Sequence, residues 1–198
     1  MRKLVVLSLF SVGLLFGACN QSGNKETETD KEEAYVPLHK MNIESLNEEI
    51  ERREAALDKD SNLVNSQNAA RLMEAYAVYG ENFANYPSAA ERLFKAGELA
   101  MGLGHKVQAI KHFDRVYNNF KDYDKRPYAL FMKAFVLENQ ARRYEQAKVV
   151  YEQFLREYPT HAMADDAEYS IKNMGKSPEE LIKEFERQDS IRKAQGAA

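Results

Sequence analysis

One spacing recurs four times along the chain. Ala75, Ala109, Ala147 and Leu181 follow one another at intervals of 34, 38 and 34 residues. Four residues after each stands an aromatic: Tyr79, Phe113, Tyr151 and Phe185. A further aromatic (Tyr86, Phe120 or Tyr158) stands eleven after each of the first three, and Pro87 and Pro159 stand twelve after the first and third. A period of this length marks supersecondary units that cannot hide their apolar face alone and must stack on their neighbours. The four extra residues of the second interval fall in KDYDKR, before Pro127, where a loop absorbs them.

Within the units the periodicity is helical. Ile43, Leu46, Ile50 and Leu57 form an apolar stripe among glutamates and arginines, the spacing of a helix lying on a neighbour. No alternating run of β-branched residues is present, so the chain is expected to be all-α. Ser88 with Glu91 reads as a capping box. Gly102 and Gly104 break the next pattern, Pro127 suits the first turn of a new helix, and Pro159 ends another. Gly175 reads as a stop, and Ser177-Pro178-Glu179-Glu180 as an N-cap, a first-turn proline and a capping acid.

These residues resemble the tetratricopeptide repeat (TPR). The motif AxxxYxxFLxxYP followed by AxxAxY runs here from Ala147 to Pro159 and from Ala164 to Tyr169. The resemblance implies an α-solenoid of about three to four TPR-like helix pairs over residues 41–190, with atypical units at both ends. It also implies that Ala109 and Ala147, on second helices, pack against small residues of first helices: Gly97 or Ala96, and Ala134. The aromatics four residues on would then wedge against the following unit. First helices of such arrays line a groove, and by position this one presents Phe94, Glu98 and Met101, then Met132, Lys133, Val136 and Asn139. Phe94, Glu98, Met132 and Val136 do not supply the lysine and asparagine clamp of the carboxylate-gripping class. A mixed groove with methionines suits an apolar helix or an extended segment.

The start of the chain has a different character. Arg2 and Lys3 precede the apolar run LVVLSLFSVGLLF and then Gly17-Ala18-Cys19. A basic start, a short apolar core and small residues at a cut site describe a secretory signal over residues 1–18. The run is shorter than the ~20 residues of a membrane span. Leu15-Phe16-Gly17-Ala18-Cys19 resembles the lipobox of bacterial lipoproteins, with phenylalanine where leucine is commonest. The resemblance implies lipidation of Cys19, the sole cysteine, and several acyl chains together hold firmly to a membrane. Residues 19–40 then read as a lipidated cysteine and a flexible acidic linker, because NQSGNKETETDKEE has no apolar residue to offset its ordering entropy. Asn20 after the cysteine implies the outer membrane, and the domain is expected to face the periplasm. Residues 191–198 read as a disordered tail.

Composition narrows the function. The net charge of −3 leaves no basic excess for a phosphate backbone, so nucleic acid is not expected as a partner. His39, His105, His112 and His161 show no metal spacing, and Gly102-Leu103-Gly104 lacks the rest of a dinucleotide fingerprint. No cofactor, metal, small-molecule substrate or catalysis is expected. The chain most resembles envelope TPR proteins: the barrel-assembly (BamD-like) lipoproteins, the periplasmic coordinators of the Tol system (CpoB-like), and TPR lipoproteins of Bacteroidetes-type bacteria. The implied role is a membrane-anchored scaffold for envelope proteins or peptide segments, in outer-membrane protein assembly or as an adaptor in a cell-wall, division or secretion complex. A Cys19→Ser chain should move from the membrane fraction to the soluble periplasmic fraction; unchanged membrane retention on fractionation would remove the lipid-anchor reading.

Overall fold

A computed structural model describes residues 36–58 and 66–196. The lipobox, Cys19 and most of the acidic linker lie outside the described residues. A 3₁₀ turn at Leu38–Lys40 is followed by eight helices: α1 (Ile43–Asp58), α2 (Ser66–Asn82), α3 (Ala89–Gly102), α4 (Lys106–Asn119), α5 (Arg126–Asn139), α6 (Tyr144–Glu157), α7 (Ala164–Asn173) and α8 (Pro178–Gly196). No strand occurs among the described residues. From α1 to α7 each helix packs on the next in chain order, so the helices pair as α1/α2, α3/α4 and α5/α6; α7 packs on α6, and α8 follows without a buried residue. This is a TPR-like α-solenoid with three packed helix pairs among the described residues.

Close approach of small residues sets the helix pairs. Ala75, Ala109 and Ala147 are fully buried. A Cβ placed on Gly97 of α3 would lie 2.7 Å from the Phe113 ring of α4, and one on Gly80 of α2 would lie 2.8 Å from Cβ of Leu93 in α3. A glycine inside a helix costs ~1 kcal/mol against alanine. Seating the ring outweighs that cost, because burying a phenylalanine is worth ~1.5–3 kcal/mol. Phe113 is 0% exposed and packs edge-on to Phe94 at 5.5 Å between centroids. Tyr151 repeats the arrangement one unit on, 0% exposed and 5.4 Å from Phe131.

Polar contacts then join the units. Arg92 of α3 donates to Asn47 of α1 at 2.9 Å. Arg126 Nε of α5 donates to the Tyr117 carbonyl at 2.9 Å, and the Tyr117 hydroxyl donates to Glu157 of α6 at 2.7 Å. Burial, then that bond, pushes the Tyr117 hydroxyl up to about 12.

The boundaries differ from the sequence reading in particular places. Leu38–Lys40 form a 3₁₀ turn with Leu38 buried, so these last residues of the expected linker belong to the domain. At the other end α8 continues to Gly196, and residues 191–196 are helical where a disordered tail was expected; Arg192, Lys193, Ala194 and Gln195 are all good helix formers. Ser177 and Glu180 form the expected reciprocal capping box, Glu180 N–H donating to Ser177 Oγ at 3.2 Å and Ser177 N–H to Glu180 at 2.7 Å. Ser88 does not cap α3. Its hydroxyl instead bonds that of Tyr79 at 2.8 Å, and Glu91 is taken by Tyr123 and Lys125.

Overpacking the seams should therefore be costly. Gly97→Leu and Ala147→Trp should each lose ~1–3 kcal/mol in denaturant unfolding, while Phe185→Ser, on a helix with no buried residue, should melt like the parent. Parent-like unfolding of the first two would mean that the helix pairs do not approach as described.

Candidate functional site

The first helix of each central unit keeps one stripe in contact with solvent. On α3 it comprises Glu91, Lys95 and Glu98; on α5 it comprises Tyr128, Phe135 and Asn139. Phe135 is 37% exposed and follows in sequence the buried Ala134. Asn139 Nδ2 donates to the Phe135 carbonyl at 3.1 Å. Tyr128 bridges the two helices, its ring 5.8 Å from Phe94.

The α3 part of the stripe is electrostatically set. Tyr123 and Lys125, from the segment leading into α5, both bond Glu91, Lys125 at 3.2 Å. Burial alone would push the Glu91 carboxyl up, but the Tyr123 hydroxyl and the Lys125 ammonium win and hold it below the usual carboxylate range. Glu98 is exposed, yet partial burial raises its carboxyl, opposed by Lys125. Lys125 also lies 5.3 Å from the Phe94 ring. The stripe thus runs from a carboxylate-rich helix to an aromatic one.

The expected groove residues are divided by the structure. Glu98 and Asn139 are exposed, and Met101 is half-buried with its carbonyl accepting from Gln140 at 3.0 Å. Phe94, Met132 and Val136 belong to the core and cannot line an open groove. Val136 is 0% exposed. Lys133 is turned to the second-helix side, where it donates to Asp114 of α4 at 2.6 Å. Phe94 is buried against Phe113; for the α5 residues the error has one physical origin. The second helices α4 and α6 are 38 residues apart, and carrying that spacing to the first helices misplaces them. The first helices α3 and α5 are 37 apart, because residues 140–143 make the turn that residues 103–105 make in the preceding unit. Arg142, at φ 53, stands where the earlier turn has Gly104 at φ 72, and the added residue precedes it. Glu98 is therefore matched by Phe135, not Val136. Tyr128, Phe135 and Glu91 were missed. Counting back from the ends of α3 and α5, rather than forward from the alanines, finds them.

Second helices are separated by clefts on the other side. One of about 470 Å³ is lined by Ile110, Leu137, Val149 and Val150, with Lys133 and Arg143 among its polar residues. Another of about 400 Å³ lies between α2 and α4, lined by Glu74, Glu81, Lys111 and His112. His112 is buried, and its Nδ1 has no hydrogen-bond partner. Burial, helped by neighbouring Lys111, pulls its imidazole down to about 4. Glu81, on the rim, pairs with Arg115. No group of three or more His, Cys, Asp or Glu among the described residues could hold a metal ion. No described helix is long and apolar enough to cross a membrane.

Residues 128–161 match the family model described as Tetratricopeptide repeat. The matched segment is one unit, running from Tyr128 in α5 through α6 to the turn before α7. The fold and this unit define the class, a helical-repeat protein with a tetratricopeptide-type unit, and a repeat of this type suggests a scaffold for protein–protein contact. No curated protein matches the chain.

The buried imidazole makes stability depend on pH. Between its ordinary value of 6.5 and about 4 the unfolded chain binds a proton that folded His112 refuses, so this residue's contribution is intact above that window and is lost as pH falls through it. Denaturant midpoints at pH 7 and near pH ~4.5 should fall further apart in the parent than in His112→Leu. Equal gaps would show that His112 does not carry the effect.

Proposed function

We propose that this chain is an envelope scaffold that holds a protein segment against the first-helix stripe of Glu91, Glu98, Tyr128, Phe135 and Asn139. The carrying observation is Phe135, exposed on α5 while the inter-helix aromatics around it are sealed. A half-exposed aromatic beside a polar amide and opposite a carboxylate row suits a mixed segment, either an apolar helix or an extended strand with cationic side chains. Nothing in the stripe activates a nucleophile or a proton transfer, and the reading is non-catalytic.

The lipobox-like stretch ending at Cys19 supports an outer-membrane anchor, with the solenoid on the periplasmic side. A scaffold tethered at its start samples a thin shell of space above the membrane. That raises its effective concentration towards other membrane components. Outer-membrane protein assembly is the process this arrangement suits best; an adaptor in a cell-wall, division or secretion complex would use the same stripe.

Gentle solubilisation of the outer membrane followed by copurification separates these readings. The proposal expects barrel-assembly components with the parent chain and their loss with Phe135→Glu. Cell-wall or secretion components lost in the same way would reassign the process. A partner set indifferent to Phe135→Glu would remove the stripe from the function.

A further inference from the structure

The position three residues after the packing alanine holds Val78 on α2, His112 on α4 and Val150 on α6. All three side chains border the clefts between successive second helices. Valine is enough for packing in two of these places, yet α4 carries an imidazole in the third. His112 is 4% exposed, and its Nδ1 has no hydrogen-bond partner. A buried polar atom left unpaired carries its full desolvation cost, and the seam with α2 does not require that atom.

The cavity that His112 borders, of about 400 Å³, has the size of a small-ligand site. Met73, Ala77 and Val78 of α2 give it an apolar wall. Lys111 and Arg115 both pair with Glu81, Lys111 at 3.8 Å, so these cations are already matched. Glu74 also lines the cavity; it is exposed and has no ion-pair or hydrogen-bond partner among the described residues. The uncommitted charge on this lining is therefore a carboxylate. Burial keeps the imidazole neutral near neutral pH, and a neutral imidazole offers one ring nitrogen as an acceptor. Acceptors without donors, set beside an apolar wall, suit a ligand that brings N–H groups on an aliphatic body.

We infer that this cavity binds an aliphatic primary ammonium group, whose N–H donors meet Glu74 and the His112 imidazole while its methylenes lie on Met73, Ala77 and Val78. Hydrogen bonds from a charged donor are the strong ones, and the apolar wall takes the stem that such a cation carries. A free alkylamine and a lysine side chain of a partner protein share this chemistry, and the test separates them. The cavity lies between second helices, apart from the first-helix stripe, so the inference stands or falls separately from the proposed function.

Titration of the purified, isotope-labelled full-length chain with n-butylammonium chloride, followed through the imidazole nitrogen resonances of His112, should give a saturable shift. Sodium butyrate and sodium chloride at the same concentrations should not. A second titration with Nα-acetyl-lysine N-methylamide identifies the source. A stronger response than to butylammonium assigns the cavity to a lysine of a partner protein, a weaker one to a free amine, and both support the inference. Glu74→Gln, at an exposed position, should weaken butylammonium binding about tenfold or more, since it removes the charge from the hydrogen bond. His112→Val, which installs the residue of the neighbouring units, should weaken it as well, read from the amide resonances of Ala77 and Gln108, and should melt no lower than the parent. Absence of a saturable shift overturns the inference and leaves Nδ1 to an internal water. So does a response to butyrate equal to that to butylammonium, or binding unchanged in either variant.

Discussion

The packing of an aromatic ring against a residue too small to resist it governs this molecule. Gly97 yields its Cβ space to Phe113, and the helix axes of α3 and α4 close to the distance the ring sets. Everything downstream follows from that seat. Once a pair is fixed, its outer aromatics face the next pair, and only a further helix can cover them. The solenoid extends because each unit leaves an unfinished surface. Ionic links such as Lys133–Asp114 and Arg126–Glu157 ride on this frame. Partly exposed pairs of that kind contribute ~0–1 kcal/mol each, less than one buried ring, so they orient the units more than they hold them.

Much of this was legible in the sequence because the repeat is written in residue types with strong volume demands. Alanine or glycine against aromatic at a fixed interval leaves few packing solutions, and Pro127, Pro159, Gly104 and the Ser177–Glu180 box mark the helix ends plainly. Ser88 was harder to read. Its spacing to Glu91 fits a capping box, but Tyr79, nine residues earlier, competes for the hydroxyl, and Tyr123, 32 residues later, competes for the carboxylate. Local pattern carries no information about such distant competitors.

The candidate site was half legible. Glu98, Met101 and Asn139 were found; Met132, Lys133 and Val136 were not where the period put them. Periodicity reports the mean length of a unit, whereas a surface is defined by the phase of each helix. The phase was lost in the turn after α5, where no glycine signalled the left-handed residue. Arg142 occupies that conformation without the usual marker.

That turn has a consequence for how such a surface can change. The added residue is absorbed within the turn, so α3 and α5 keep one phase at a spacing of 37, and Glu91 and Glu98 are matched on the solvent side by Tyr128 and Phe135. The core tolerates it, because Leu130, Phe131 and Ala134 simply inherit the duties of Leu93, Phe94 and Gly97. Corner length can therefore vary from unit to unit while the interior stays fixed, and what the array displays is set by which side chains occupy the same outward positions.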